Sequence, residues 1–274
     1  MADRRHSYGL LMSVYYRDCA HHLAMALSSC DFSQLSEVVV VCDGPVSEEH
    51  ILTIKKRVPV NLLKLVQLDV NVGLGLALNA GLRECHADYI FRMDADDLSV
   101  SDRFTAQINY LAENSCDVLG GQIVEFDNEP HLGEHSRVVP LEKKNIVKFM
   151  SKRNGMNHVT VCFNRLNIAE IGAYHDILGH EDYDLWIRAI ENGLELANLD
   201  KVLVNVRVGN GFIDRRHGFR YLRQEFAFVW KNIGFFRFRA LEYIVLRAAL
   251  RLGPAPLLNY VYSKFVRSRT IGAE

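Results

Sequence analysis

Four polar turns, each placed directly after a short run of β-forming residues, constrain this chain more than any other feature. The runs Tyr8–Tyr15, Glu37–Cys42, Leu62–Leu68, Tyr89–Met93 and Val118–Phe126 alternate with helical patterns near Cys19–Ser29, Ser47–Arg57, Leu74–Glu84 and Ser101–Glu113. Strands alternating with single helices imply βαβ units and a mainly parallel sheet. In such sheets ligands sit outside the carboxyl ends of the strands. Strand one runs into Ser13, Tyr15 and Asp18, and strand two ends at Asp43-Gly44. Strand three leads to Asp69, Asn71 and Gly73, and strand four ends in Asp94-Ala95-Asp96-Asp97. Carboxylates gathered on one rim repel each other unless a cation or a set of donors fills the space.

Beyond residue 130 the pattern loosens. Asn128–Pro140 reads as a loop, Leu141–Lys152 as an amphipathic helix, His158–Phe163 as a short strand and Asn164–Ile171 as a helix. Glu181–Asn192 repeats apolar residues at helical spacing and stops at Gly193. Lys201–Val208 reads as another strand. This divides the chain into a body over 1–213, with a first half of about 1–127 and a second of about 128–213, and a tail over 214–274.

The net charge of −1 hides an asymmetry. Asp214–Thr270 holds 12 Lys and Arg against 3 Asp and Glu, so an acidic body carries a basic tail that favours phosphate-bearing partners. Within it Phe238, Leu241, Val245, Ala248 and Leu252 form a helical stripe flanked by Arg237, Arg247 and Arg251. That pattern predicts a helix lying on an anionic membrane surface, and the acidic body argues against nucleic acid. No apolar run is long enough to span a bilayer, and the N-terminal apolar stretch is too short for a signal peptide. The six cysteines are scattered without C-x-x-C pairs and read as core residues of a protein in a reducing compartment.

Asp94 and Asp96 lie two apart in extended chain and so reach one point beyond the strand. Two hard oxygen ligands suit Mg²⁺ or Mn²⁺, which also keeps waters and substrate phosphates. The competing reading is a plain turn with Asp97 as a helix cap. The segment Asn71-Val-Gly73-Leu-Gly75 through Asn79-Ala-Gly81 is a glycine-rich helix start, but it lacks both the dinucleotide and the P-loop signatures. Close packing explains it equally well. Glu181-Asp182 opens an amphipathic helix, a position that also suits simple dipole compensation.

Taken in order, these parts resemble family 2 glycosyltransferases with the GT-A fold, of the kind that build bacterial surface polysaccharides. The resemblance rests on Ser13-Val14-Tyr15, Asp43-Gly44, Asn71-x-Gly73 with Asn79-x-Gly81, Asp94-Ala95-Asp96-Asp97, Arg103-Phe104 with Gln107, and Glu181-Asp182-x-x-Leu185-Trp186. It implies an α/β nucleotide-diphospho-sugar transferase and assigns roles. Ser13, Val14, Tyr15 and Asp43 would hold the base and ribose, and Asn71, Gly73 and Asn79 would line the nucleotide cleft. Asp94 would lie near ribose and metal, Asp96 would bind Mn²⁺ or Mg²⁺, and Asp182 would be the catalytic base beside Glu181.

Many relatives carry Arg where Leu78 stands, so diphosphate contacts would come from Arg207, Arg215, Arg216 or His217. Asp97, His158 and Trp186 are further candidates, His158 and Trp186 with competing core readings. The resemblance also implies a nucleotide diphosphate sugar donor, UDP-hexose first, and inversion by a single displacement. The acceptor would be a glycan or lipid-linked saccharide at the inner face of the cytoplasmic membrane. A sugar-phosphate nucleotidyltransferase would need a glycine-rich, basic first loop, and Tyr8–Asp18 has no glycine after Gly9. A membrane-binding adaptor would need no strand-end carboxylates.

Overall fold

The computed structural model describes residues 6–127, 135–177, 179–208, 218–252 and 268–269. Strands β1 (Tyr8–Val14), β2 (Glu37–Cys42), β3 (Leu63–Gln67) and β4 (Tyr89–Met93) are parallel and lie in the order β3-β2-β1-β4. Helices α1 (Ala20–Ser28), α2 (Glu48–Arg57) and α3 (Leu74–Glu84) connect them, so the four carboxyl ends share one rim. Val38–Val41 of β2 are completely buried, which explains an uninterrupted valine run in place of an alternating pattern.

The second half continues the sheet past β4. Strand β8 (Cys162–Asn164) runs antiparallel to β4 and to β6 (Val118–Phe126). The long β9 (Leu196–Arg207) runs parallel to β6 and also pairs with the short β5 (Leu98–Ser99). Strand β7 (His135–Arg137) pairs antiparallel with β6, and β10 (Ser268–Arg269) with β7. Helices α4 (Arg103–Glu113), α5 (Lys143–Met150), α6 (Arg165–Glu170) and α7 (Glu181–Glu191) complete this half.

Successive side chains of a strand point to opposite faces, and each face of the sheet has its own core. Leu10, Met12, Val38 and Val40 pack with residues of α1 and α4. Leu11, Val39 and Val41 pack with α3, α7 and the helices that follow residue 218. Those are α8 (Phe219–Lys231), α9 (Ile233–Phe236) and α10 (Ala240–Leu252). Phe228, Val229, Phe236, Ala240 and Tyr243 belong to the same buried cluster as Leu82 and Trp186. The helices after 218 are therefore built into the core of the body, and the expected boundary at 213 lies outside the described residues. Among the described residues no helix is long and apolar enough to cross a membrane.

Several elements differ from the sequence reading. The expected loop 128–140 contains β7, whose polar residues gain strand conformation from pairing with β6, a tertiary effect that local propensity does not carry. The expected strand His158–Phe163 divides into a 3₁₀ turn at His158–Thr160 and the strand β8. The Thr160 hydroxyl donates to the Asn157 carbonyl and accepts from Gly121 N–H, which makes the turn. Strand β9 begins five residues before the expected start because its partner β6 extends alongside it. In the tail, the expected stripe is interrupted: Phe238 falls in a 3₁₀ turn (Arg237–Arg239), entered at positive φ, and α10 begins only at Ala240.

Gly81 lets α3 lie flat on the sheet. A Cβ there would overlap Leu11 Cδ1 and come within 2.6 Å of Val41 Cγ2. Gly81→Ala is expected to lower unfolding stability by about 1–3 kcal/mol through overpacking, despite the better helix propensity of alanine. Urea denaturation measures it, and unchanged stability would contradict this packing.

Candidate active site

The rim is organised first by Asp43, at the end of β2. One carboxylate oxygen accepts from Val72 N–H at 2.7 Å. The other accepts from Gly73 N–H and from Asn71 Nδ2, both at 3.0 Å. Asp43 thus ties the loop after β3 to the end of β2, while Asn71 Nδ2 also reaches the Asp43 carbonyl. Gly44 has φ +83°, and a Cβ on it would sit 2.6 Å from Asn71 N, so the two turns touch through main chain. Ser13 and Tyr15 are partly buried at the end of β1, beside this loop-bearing strand, and Val14 is fully buried.

Beside it, the acidic end of β4 alternates. Asp94 and Asp96 are partly open, Ala95 enters the core and Asp97 is buried. Asp97 accepts from the Arg207 main-chain N–H at 2.8 Å, and the Arg207 Nε donates to the Asp96 carbonyl at 3.2 Å. Asp97 therefore joins β9 to the turn, and the helix it was expected to cap begins instead after Asp102. Arg207 also lies over the Phe126 ring, 4.6 Å from its centroid, and brings a cation where Leu78 brings none; Leu78 is in the core.

Asp18 joins the same cluster. Burial and then the charges of Asp96 and Asp94 push it up to about 7, against a hydrogen bond from Tyr15 N–H. Burial and Asp94 push Asp96 up to about 6. Burial, Asp94 and Asp96 hold Asp97 well above the usual carboxylate range. Under the cluster lies Arg92, wholly buried in β4 and ion-paired to Asp94. Its Nε and Nη1 have no hydrogen-bond partner.

Across the rim, α7 begins with Glu181 and Asp182. Glu181 packs against the start of α3, where a Cβ on Gly75 would be 3.2 Å from its own Cβ. The glycines of α3 are thus explained largely by close approach: Gly75 to α7 and Gly81 to the sheet. Asp182 accepts from Asn154 Nδ2 at 2.7 Å and from Tyr183 N–H at 2.8 Å. Burial and Asp182 push Glu181 up to about 7. Tyr174 joins the two sides. Burial raises its phenol, Arg92 lowers it, and Asp182, Glu181 and Asp94 raise it further, so these charges lie within electrostatic range of one ring.

His158 Nε2 lies 2.8 Å from the Tyr174 hydroxyl. Burial and the Arg92 charge hold His158 well below its usual range, so it is neutral near pH 7. Asn79, expected to line a nucleotide cleft, is half-buried and engaged with main chain. Its amide donates to Tyr174 O at 2.7 Å and accepts from Tyr174 N–H at 2.9 Å, which fixes the Tyr174 segment on α3. Trp186 is also corrected: it is fully buried in the core and cannot stack on a sugar. Arg215, Arg216 and His217 lie outside the described residues.

Sequence reasoning missed three features. Arg92 was visible as a lone cation in an apolar strand. Tyr174 had no local signal. Asp184, buried on α7, accepts from Arg188 Nε at 2.8 Å and Asn232 Nδ2 at 3.1 Å and pairs with His175 at 2.8 Å. Burial opposes its ionisation, yet the bonds from Arg188 and Asn232 hold it below the usual range. Its location among apolar helix positions was the available signal.

Among the described residues no group of three or more His, Cys, Asp and Glu side chains is arranged to hold an ion. Asp94 and Asp96 nevertheless offer hard oxygens beside crowded carboxylates, a donor set that suits a divalent cation completed by waters and diphosphate oxygens.

A parallel sheet half with an acidic rim, extended by a mixed half that supplies a second acidic pair, has the GT-A architecture. Solved structures share it. A mannosyltransferase from Pyrobaculum calidifontis in complex with GDP-Man and Mn²⁺ superposes with TM-score 0.62 at 17% identity, over 94% of this chain and 80% of that one. Staphylococcus aureus TarS (residues 1–349) with UDP-GlcNAc gives 0.58 at 15%, over 94% and 73%. The family model Glycosyl transferase family 2 matches residues 17–172, and the chain belongs to that family. It is similar to the amylovoran biosynthesis glycosyltransferase AmsE of Erwinia amylovora, 34% identical over 94% of this chain and 98% of that protein. It is also similar to an Escherichia coli UDP-Gal:α-D-GlcNAc-diphosphoundecaprenol β-1,3-galactosyltransferase, 30% identical over 97% and 99%.

The raised Glu181 carboxyl has a consequence for stability. The folded protein keeps that proton up to about pH 7, whereas the unfolded chain releases it near pH 4.3. The folded state holds the extra proton between those values, so stability falls as pH rises through them. Glu181→Gln removes this loss. Calorimetry is expected to show a larger gain in Tm over the natural protein at pH 8 than at pH 5, and equal gains would contradict the assignment.

Proposed function

We propose that this glycosyltransferase moves a hexose, from UDP-hexose in the first instance, onto a hydroxyl of a lipid-linked saccharide in bacterial polysaccharide biosynthesis, with inversion. The observation that carries the reading is that the acids after β4 and those opening α7 lie within electrostatic range of Tyr174 and Arg92, with Arg92 ion-paired to Asp94. The names of the similar proteins from Erwinia amylovora and Escherichia coli support the polysaccharide setting and the UDP-sugar donor.

In this reading the nucleoside lies over the ends of β1 and β2, against Ser13–Tyr15 and the Asn71–Gly73 loop that Asp43 holds. Asp94 and Asp96 would hold Mn²⁺ or Mg²⁺. When bound, the cation supplies Lewis-acid stabilisation of the diphosphate leaving group. Arg207 adds positive charge at the same turn, and Arg92 keeps Asp94 in place from below. Asp182 removes the proton of the attacking hydroxyl. Asn154 and the Tyr183 amide fix its carboxylate, leaving it oriented for that transfer. Neutral His158, bonded to Tyr174, shapes the acceptor side without adding charge.

Three outcomes are expected. Asp96→Ala abolishes transfer and removes the Mn²⁺ dependence of UDP binding by calorimetry; retained activity with intact metal response would sink the cation assignment. Asp182→Asn leaves UDP affinity nearly unchanged but lowers kcat by on the order of a hundredfold or more. A minor change in kcat would move the base elsewhere. NMR of the product from an α-linked nucleotide sugar shows a β linkage, and a retained α linkage would refute single displacement.

A further inference from the structure

Helix α8 is apolar on two sides. Its inner side is used for folding. Leu222, Phe228 and Val229 are buried, the Phe228 ring stacks on His180 with centroids 4.7 Å apart, and it tilts on Tyr183 at 4.8 Å. Just beyond its end, Asn232 Nδ2 donates to the buried Asp184 of the catalytic helix. The outer side carries Phe219, Phe226 and Trp230, which are 75%, 49% and 80% exposed. At helical spacing these three side chains fall within an arc of about 40°, with exposed Arg223 beside them. Ile233 continues the stripe past the end of α8 and is also exposed. Helix α10 packs beside α8 and turns Leu241 and Val245 outward.

Folding therefore leaves an aromatic face uncovered on a helix whose opposite side is already committed. The exposed charges of α8, α10 and the turn between them are mainly cationic: Arg223, Lys231, Arg237 and Arg239, with Glu242 the exposed acid among the described residues there. A second copy of the chain is a poor occupant, because a two-fold contact would bring Arg223 towards like charge with little exposed acid to meet it. Aromatic side chains that enter the apolar layer, with arginines that reach phosphate, match the boundary of an anionic bilayer.

We propose that the outer face of α8, extended by α10, docks the protein on an anionic lipid surface, with α8 lying in the interface plane. This deepens the proposed function and rests on its lipid-linked acceptor. The inner face of α8 packs on α7, so docking sets the start of α7, with Glu181 and Asp182, about one helix layer (~10 Å) from the lipid headgroups.

The full chain reports on its own docking. It has two tryptophans, of which Trp186 is fully buried and Trp230 is exposed. Vesicles of phosphatidylcholine with phosphatidylglycerol are expected to shift Trp230 emission to the blue and carry the protein upward in flotation. Pure phosphatidylcholine does much less, and high salt reverses the effect. Phe226→Ser with Trp230→Ser lowers vesicle binding roughly tenfold or more, read by flotation. UDP-induced thermal stabilisation is measured on the same samples and stays the same in the double variant. Absence of that stabilisation in the natural protein would defeat the donor reading and leave the docking result standing. Unchanged emission and no flotation of the natural protein would overturn the proposal. So would equal flotation of the variant, or a dimer in sedimentation that the double substitution dissolves.

Discussion

A buried guanidinium holds the site together. Arg92 lies in the middle of an otherwise apolar strand, without access to solvent, and its visible partner is Asp94. A charge in that position is costly unless opposite charge surrounds it. Asp94 supplies contact, and Asp97 and Tyr174 contribute at longer range. The converse also holds: Asp94, Asp96, Asp97, Asp18 and Glu181 crowd one rim, and Arg92 and Arg207 are the fixed cations that offset part of that repulsion. The offset is incomplete. Asp18, Asp96, Asp97 and Glu181 are all shifted toward their protonated forms, which leaves the rim ready for additional positive charge.

A second charged centre ties α7 to the tail. Asp184 is buried one turn into α7 and gathers Arg188, His175 and Asn232. Arg188 in turn donates to the carbonyls of Ile171 and Ala173, next to Tyr174. The position of Tyr174 is thus set twice, by Arg188 from one side and by the Asn79 clamp from the other. Because Asn232 follows α8, the helix that bears the exposed aromatic face shares a hydrogen bond with the helix that bears the proposed base. Contact at the outer face of α8 is therefore mechanically close to the start of α7.

What could be read from the sequence was local in origin. The β1–β4 strands, their helices and the acidic turn at Asp94–Asp97 follow from short-range periodicity and from the abrupt change between apolar and polar residues at strand ends. The start of α7 was equally plain. Strand β7 and the first half of β9 were not, since both take their conformation from β6 and have no strand pattern of their own. Asn79 was read as a cleft residue, but both ends of its amide serve Tyr174, 95 positions away, and no local pattern encodes that pairing. Of the stripe expected in the tail, Leu241 and Val245 face outward on α10, Ala248 is half-buried and Phe238 lies before the helix begins. The stripe on α8 was not legible, because Phe219–Lys231 carries aromatic residues on two sides and only packing reveals which of them stay outside.

The most direct test is the position of a cation relative to the two acidic groups. Crystals grown with Mn²⁺ and UDP, measured near the manganese absorption edge, should give one strong anomalous peak within about 2–2.3 Å of an Asp96 carboxylate oxygen, in contact with the diphosphate and facing Asp182 across the rim. A manganese peak remote from Asp94 and Asp96, or UDP bound at the rim with no manganese between its phosphates and these carboxylates, would contradict the proposed arrangement.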